Sequence, residues 1–304
     1  MNRMLSILIP VYNFNITNLI NHLIKQIKRD SIMVEILILD DGSHIYKKEN
    51  RQLKKHNEIK YFEFETNRGR SFARNFLAER ASYSYLLFMD CDVQIIQHDF
   101  LIKYYHFIKQ DVKVVCGGLV YPEKHLIKKE QLLHWYYGVK KESKSLSERS
   151  KHPYQSFSSF NFLINRDLFL KIRFPEQINT YGHEDTCFGI ILKRQKIPIL
   201  HIDNPLMHIG IEESKIYLKK IEESVKNIDK LFLIIHDSQL VVKEVKLLRY
   251  IKIFKKFNLI FTIIIPFQIL KPVIIKNLLS RSPLIFLMNF YKLGFYFTQV
   301  NNLK

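Results

Sequence analysis

The chain opens on a mainly apolar run at 6–11 that stops at Tyr12 and Asn13, and a second run at 34–39, broken only by Glu35, stops at Asp40, Asp41 and Gly42. Apolar runs of this length, closed by turn residues, read as strands buried on both faces. Between them Ile16, Leu19, Ile20, Leu23, Ile24 and Ile27 recur at helical spacing, with Asn and Lys on the other face. A Lys-rich segment at 46–56 predicts a further helix, 59–63 a strand, 71–81 a helix and 85–89 another strand. Such alternation predicts an α/β fold, a Rossmann-like, mainly parallel sheet with helices on both faces. Ligands of open sheets bind at the carboxyl ends of the strands, which here carry Tyr12, Asp41 and the cluster from Asp90 to Asp92.

The pattern is less regular further on. Residues 114–120 predict one more strand, and 121–156 are rich in Lys, Glu, Ser and Tyr with weak periodicity. This predicts a mixed helix and loop insertion within 121–160, suited to a lid or an acceptor-facing segment. A strand is expected at 157–164, a short helix at 166–171, and a clearer helix at 185–195 with Phe188, Ile191 and Leu192 inward. A catalytic domain over 1–215 followed by a helical region over 216–304 is the division these patterns imply.

Composition sharpens the reading of that last region. The chain has 304 residues, 47% of them hydrophobic, enough to bury a core, and its 47 Lys and Arg against 29 Asp and Glu give a net charge of +18. Such an excess points to an anionic partner. Residues 241–304 carry eleven of the basic residues and one acid, Glu244, so much of the excess belongs to the tail. Lys243, Lys246, Arg249, Lys252 and Lys256 recur at helical spacing around Leu247, Leu248, Ile251 and Phe254, as in a helix with one basic and one apolar face.

Apolar runs at 259–270 and 284–290 follow, interrupted by Pro266, Pro272 and Pro283. Neither reaches the roughly 20 residues needed to span a bilayer. Peripheral membrane contact through 243–297 is therefore expected, at the inner face of the cell membrane; a buried helical pair, or a surface for a partner subunit, is the alternative. Nucleic acid is not expected, because the basic residues lack interleaved aromatics. Cys91, Cys116 and Cys187 show no paired spacing, which predicts neither disulfides nor a zinc site and fits a reducing cytoplasm. No export signal is read ahead of the first strand.

Four constellations carry candidate chemistry. Asp90 and Asp92 end an apolar strand, and alternate carboxylates there can hold Mg2+ or Mn2+ against a diphosphate, or simply form a strand-end turn. Asp40-Asp41-Gly42-Ser43 offers an acceptor to a nucleobase imide or ribose, or an Asp turn with a Ser cap. Arg70 and Arg74 at the start of a helix after Asn67-Arg68-Gly69 suit an anion such as a diphosphate, or solvent. Glu184 and Asp185, after Tyr181-Gly182-His183, can orient an acceptor hydroxyl and take its proton, or merely complement a helix dipole. His208 can be a metal ligand or a structural side chain.

The order of these elements is more specific than any one of them. Ser-Ile-Leu-Ile-Pro-Val-Tyr-Asn at 6–13, Asp-Asp-Gly-Ser at 40–43, Asn-Arg-Gly at 67–69 with Ala-Arg-Asn at 73–75, Met-Asp-Cys-Asp at 89–92 and Glu-Asp at 184–185 together resemble the family-two, GT-A-type inverting glycosyltransferases. The resemblance covers roughly residues 4–210 and leaves the tail unexplained. It implies that Pro10, Tyr12 and Asp41 cradle the base and ribose of a nucleotide, usually uridine, with Arg70 or Arg74 near the diphosphate. It implies that Asp92 holds Mn2+ or Mg2+, with Asp90 assisting through the ribose or water and His208 completing the shell. Asp185 becomes the general base and Glu184 an acceptor-positioning residue. The expected partners are a UDP-sugar and a glycan or lipid-linked glycan of a surface polysaccharide.

Two rival readings remain. A nucleotidyltransferase would want a Gly-rich loop after the first strand, where this chain has Pro10-Val11-Tyr12-Asn13. A catalytically inactive nucleotide or glycan binder would not need all of Asp90, Asp92, Glu184 and Asp185, which are intact.

Overall fold

Alternating apolar runs and amphipathic segments build the first half of the chain in the order expected. The computed structural model describes residues 4–302. Strand β1 (Leu5–Val11), helix α1 (Thr17–Asp30), β2 (Val34–Asp41), α2 (Lys47–Arg51), β3 (Ile59–Phe64), α3 (Arg70–Arg80) and β4 (Tyr85–Met89) follow one another. Then come β5 (Val93–Ile95), α4 (Phe100–Lys109), β6 (Val114–Cys116), β7 (Leu119–Val120), α5 (Leu132–Tyr137), α6 (Leu146–Lys151), β8 (Asn161–Asn165), α7 (Arg166–Ile172) and α8 (Glu184–Arg194). Short strands β9 (Leu200–His201) and β10 (Leu206–His208) lead to the helical tail: α9 (Ser214–Asn227), α10 (Lys230–Ile235), α11 (Ser238–Glu244), α12 (Lys246–Lys256), α13 (Phe261–Leu278) and α14 (Ile285–Asn302).

Seven strands form one sheet in the order β3-β2-β1-β4-β8-β6-β9. β1 pairs in parallel with both β2 and β4, while β8 runs antiparallel to β4 and β6. Chain order reverses on either side of β1, so a crevice opens where β1 and β4 end, the position at which doubly wound sheets bind ligands. Strands β1, β2 and β4 are buried on both faces, hence their predominance of apolar residues; the polar Ser6 and Glu35 near the starts of β1 and β2 satisfy each other, Ser6 Oγ donating to Glu35 Oε1 at 2.6 Å. One face packs Ile7, Ile9, Leu87 and Leu163 under α1 and α4. The other packs Leu8, Leu37 and Phe88 under α3, α7 and α8, where Phe88 stacks on Phe162 at 4.8 Å and Phe174 on Phe188 at 4.5 Å.

Three expectations are corrected. The single strand expected at 114–120 splits at Gly117 and Gly118, the latter at φ +89°, sending β6 into the main sheet and β7 into a three-stranded sheet β5-β10-β7. The helix expected around 243–256 breaks at Val245, whose backbone is extended, so Lys243 belongs to α11. Pro266 and Pro272 do not end a helix but lie inside α13. Each removes one helical hydrogen bond, and the burial of Ile263, Ile264, Phe267, Ile274 and Leu278 in the tail core compensates. As a result α13, with 18 residues, is a helix long and apolar enough to cross a membrane. The tail core is shared with Leu133 of α5 and Cys187 and Ile190 of α8, which ties the helical region to the crevice side of the sheet.

Candidate active site

The loops after β1 and β2 are stitched together first. Asn13 donates its backbone N–H to Ser43 Oγ at 2.8 Å, and its side-chain oxygen accepts from His44 N at 2.7 Å. Gly42 sits at φ +78°, and a Cβ there would lie 2.6 Å from Asn67 N, so only glycine lets the two turns touch. Asp41 uses both carboxylate oxygens on the next loop, accepting from Arg68 N and Gly69 N at 2.9 Å each. It is 3% exposed, and burial pushes its pKa up despite those two amides. Asp41 therefore fixes the loop that launches α3, while Tyr12, 46% exposed, and half-buried Pro10 line the open edge beside it.

Helix α3 brings two arginines to the crevice in different states. Arg74 is 1% exposed and donates Nη2 to Asp90 Oδ1 at 2.7 Å; its Nε and Nη1 are buried without partners. Arg70 keeps access to solvent with its guanidinium 5.3 Å from the Tyr181 ring; the protein crowded around that head group opposes its charge, yet Asp90, Glu184 and Asp92 together raise its pKa. A cation held in that field has a ready exchange of partners when an anion arrives.

Asp92 and His208 meet because β5 and β10 pair antiparallel, with His208 opposite Val93. Asp92 Oδ2 lies 3.2 Å from His208 Nε2, and Asp92 O accepts from Ile209 N at 2.9 Å. On its other side His208 Nδ1 is 3.2 Å from the Tyr121 hydroxyl, which donates in turn to Glu142. With its proton directed to Glu142, Tyr121 accepts the Nδ1 proton and leaves Nε2 facing the carboxylate. Burial opposes charge on both groups, yet Asp92 is held below the usual carboxylate range and His208 above its ordinary value by one another.

Of the three expected metal ligands only Asp92 and His208 come together. Asp90 is claimed by the buried Arg74 instead, and among the described residues no group of three or more His, Cys, Asp or Glu could hold a metal ion. A facing carboxylate and imidazole nitrogen, stabilised by sharing a proton, fit one divalent cation that draws its other ligands from phosphate oxygens and water.

Glu184 and Asp185 start α8 after His183, which adopts a left-handed conformation at φ 74°. Asp185 Oδ2 accepts from Ser159 N at 3.0 Å, whereas its Oδ1 and Glu184 Oε2 are buried without a hydrogen-bond partner. Burial first, and the neighbouring Glu184 charge second, push Asp185 up to about 6, with Arg74 pulling the other way. A carboxylate with one oxygen anchored by a backbone amide and the other bare is set to receive a proton.

Nothing in the sequence marks Tyr121, Glu142 and His134 as neighbours of this site. All three lie in the weakly periodic 121–160 segment, and His134, on α5, stacks at 4.1 Å on Tyr217, which α9 brings in from far along the chain. No local signal marks such long-range partners.

A family model described as Glycosyl transferase family 2 matches residues 6–173. A protein of Haemophilus influenzae described as an uncharacterized glycosyltransferase is 26% identical over 228 residues, covering 73% of this chain and 85% of its own length. Among solved structures, the mannosyltransferase PcManGT from Pyrobaculum calidifontis, in complex with GDP-Man and Mn2+, superposes with a TM-score of 0.55 at 15% identity, over 77% of this chain and 64% of that one. S. aureus TarS 1-349 superposes with a TM-score of 0.50 at 19% identity, over 74% of this chain and 65% of that one. The chain thus spans just under two thirds of both solved structures.

Proposed function

Because the chain belongs to glycosyl transferase family 2 and has the GT-A-type fold, we propose that this glycosyltransferase moves a hexosyl or hexosaminyl group from a nucleoside-diphosphate sugar, first of all a UDP-sugar, onto an acceptor hydroxyl with inversion. The acceptor is a glycan or lipid-linked glycan of a surface polysaccharide, and the enzyme works at the cytoplasmic face of the membrane. The observation that carries the chemistry is the buried Oδ1 of Asp185, which has no hydrogen-bond partner, lies beside Glu184 at the start of α8 and feels the charge of Arg74, itself bonded to Asp90.

In this reading Pro10 and Tyr12 hold the nucleoside, and Asp41 positions the loop beside them. Arg70 leaves its carboxylate surroundings for the diphosphate, and Asp90 keeps Arg74 buried and oriented toward the same charge. Asp92 and His208 would hold Mn2+ or Mg2+, which would supply positive charge to the departing diphosphate. Asp185 takes the acceptor proton as the acceptor oxygen bonds to the anomeric carbon and the bond from that carbon to the diphosphate oxygen breaks. One displacement inverts the centre, and Glu184 orients the acceptor. An inactive binder would have no use for an unpaired buried carboxylate, which is destabilising unless it works.

Incubation of the purified chain and Mn2+ with UDP-, GDP- and TDP-sugars should release nucleoside diphosphate from one of them, faster when membrane lipid extract is added. If none turns over and calorimetry finds no binding of UDP, GDP or TDP, the donor assignment fails. A finer test uses Gly210, where a Cβ would lie 2.2 Å from Asp92 Oδ2. Gly210→Ala should swing Asp92 off His208 and lower turnover by up to about 10²-fold, the loss expected of a misplaced catalytic group, with thermal stability nearly unchanged. Wild-type turnover in this variant would mean that the Asp92 and His208 geometry is irrelevant.

A further inference from the structure

Helix α13 has two apolar faces, and only one is covered. Ile263, Ile264, Phe267, Ile274 and Leu278 enter the tail core, where Phe267 packs on Tyr291 at 5.6 Å. Opposite them Phe261, Ile265, Ile269 and Val273 form a ridge at four-residue spacing, 66%, 53%, 70% and 64% exposed. Soluble surfaces rarely leave an unbroken apolar ridge of this kind in water. The chain enters α13 from α12 through Phe257 and Leu259, both exposed, and α12 itself exposes Tyr250 and Ile253 among Arg249, Lys252 and Lys256. The one acid of residues 241–304, Glu244, is turned onto Lys193 and Gln155, so no carboxylate of this region balances the exposed lysines.

We propose that α12 and α13 form a docking surface for an anionic lipid bilayer, lying in its plane. The ridge enters the boundary between headgroups and acyl chains, and the Lys and Arg of α12, with Lys276 and Arg281, stay at the phosphates, the arrangement of interfacial amphipathic helices. Charge selects this occupant: a second copy would bring two uncompensated basic surfaces together, whereas lipid phosphates neutralise them. Spanning is opposed by packing, since one face of α13 is already committed to the core it shares with α14 and α9. The surface rests on the tail alone and not on the donor chemistry proposed above.

The test is flotation of the full chain with vesicles of phosphatidylcholine alone or mixed with phosphatidylglycerol, alongside analytical ultracentrifugation without lipid. Wild type should float with the anionic vesicles and be released by salt. Ile265→Ser/Ile269→Ser/Val273→Ser, all at exposed positions, should bind at least tenfold more weakly. Lys252→Gln/Lys255→Gln/Lys256→Gln should lose about fivefold per charge removed and show a weaker salt dependence. Both variants should keep wild-type circular dichroism and wild-type nucleotide affinity, so loss of lipid binding is separable from loss of the donor site. Failure of wild type to float, equal flotation of the serine variant, or a self-associated wild type that the serine substitutions dissociate would each overturn the proposal, the last in favour of a second copy.

Discussion

Asp185→Asn is expected to reduce kcat by about 10³-fold, within the range for removing a positioned general base, while leaving nucleotide affinity within twofold or so of wild type. The substitution keeps the size of the side chain and its acceptor for Ser159 N, bonded at 3.0 Å, so the start of α8 should not move. What it removes is the proton affinity of Oδ1. The pH dependence gives an independent readout. Asp185 is raised to about 6 by burial and by Glu184, and the base works only when ionised, so wild-type kcat should fall as pH drops through about 6. That limb should vanish in the Asn variant.

The sign of the stability effect is opposite to that of activity. A carboxyl whose folded pKa exceeds its unfolded value binds its proton more tightly in the folded state, so its ionisation weakens the fold as pH rises from the unfolded value of 3.8 to about 6. Asp185→Asn should therefore be as stable as wild type at neutral pH or more so, by thermal melting. A variant that retains transfer, or one that is inactive only because it unfolds, would remove Asp185 from the role of base.

The parts of this site that the sequence made legible are those that depend on local pattern. β1, β2 and β4 are buried on both faces, which forces mainly apolar runs, and the residues that end such runs must lie at the crevice. Gly42 and Gly69 adopt positive φ at the turns read from Asp-Asp-Gly-Ser and Asn-Arg-Gly. What stayed illegible is the choice of partner. Local pattern puts both Asp41 and Asp90 at the donor, but nothing local reveals that Asp41 is bonded by two backbone amides or that Asp90 pairs with Arg74 rather than joining Asp92. The Tyr121 and Glu142 relay behind His208 joins segments far apart in sequence. Pro266 and Pro272 misled for a related reason, since local propensity ends a helix there and a tertiary face keeps it intact.

These differences sharpen the expected consequence of losing Asp92. With Asp90 committed to Arg74 and Glu142 bonded to Tyr121, Asp92 is, among the described residues, the carboxylate that faces His208 Nε2 directly. Asp92→Ala should weaken UDP binding in the presence of Mn2+ by at least about 100-fold, more than the 10- to 100-fold typical of changes behind a metal ligand, and should make binding the same with and without Mn2+. Local structure should survive, because the contact that places Asp92 is made by its backbone oxygen, which accepts from Ile209 N at 2.9 Å and Gly210 N at 3.3 Å. Asp92→Asn keeps the shape and loses only the charge, and should behave like the Ala variant if charge is what matters. Glu142→Gln, one step further back through Tyr121, should show a smaller loss in the same calorimetric titration. Metal-dependent UDP binding that persists in both Asp92 variants would place the cation elsewhere and leave the Asp92 and His208 pair a structural ion pair between β5 and β10.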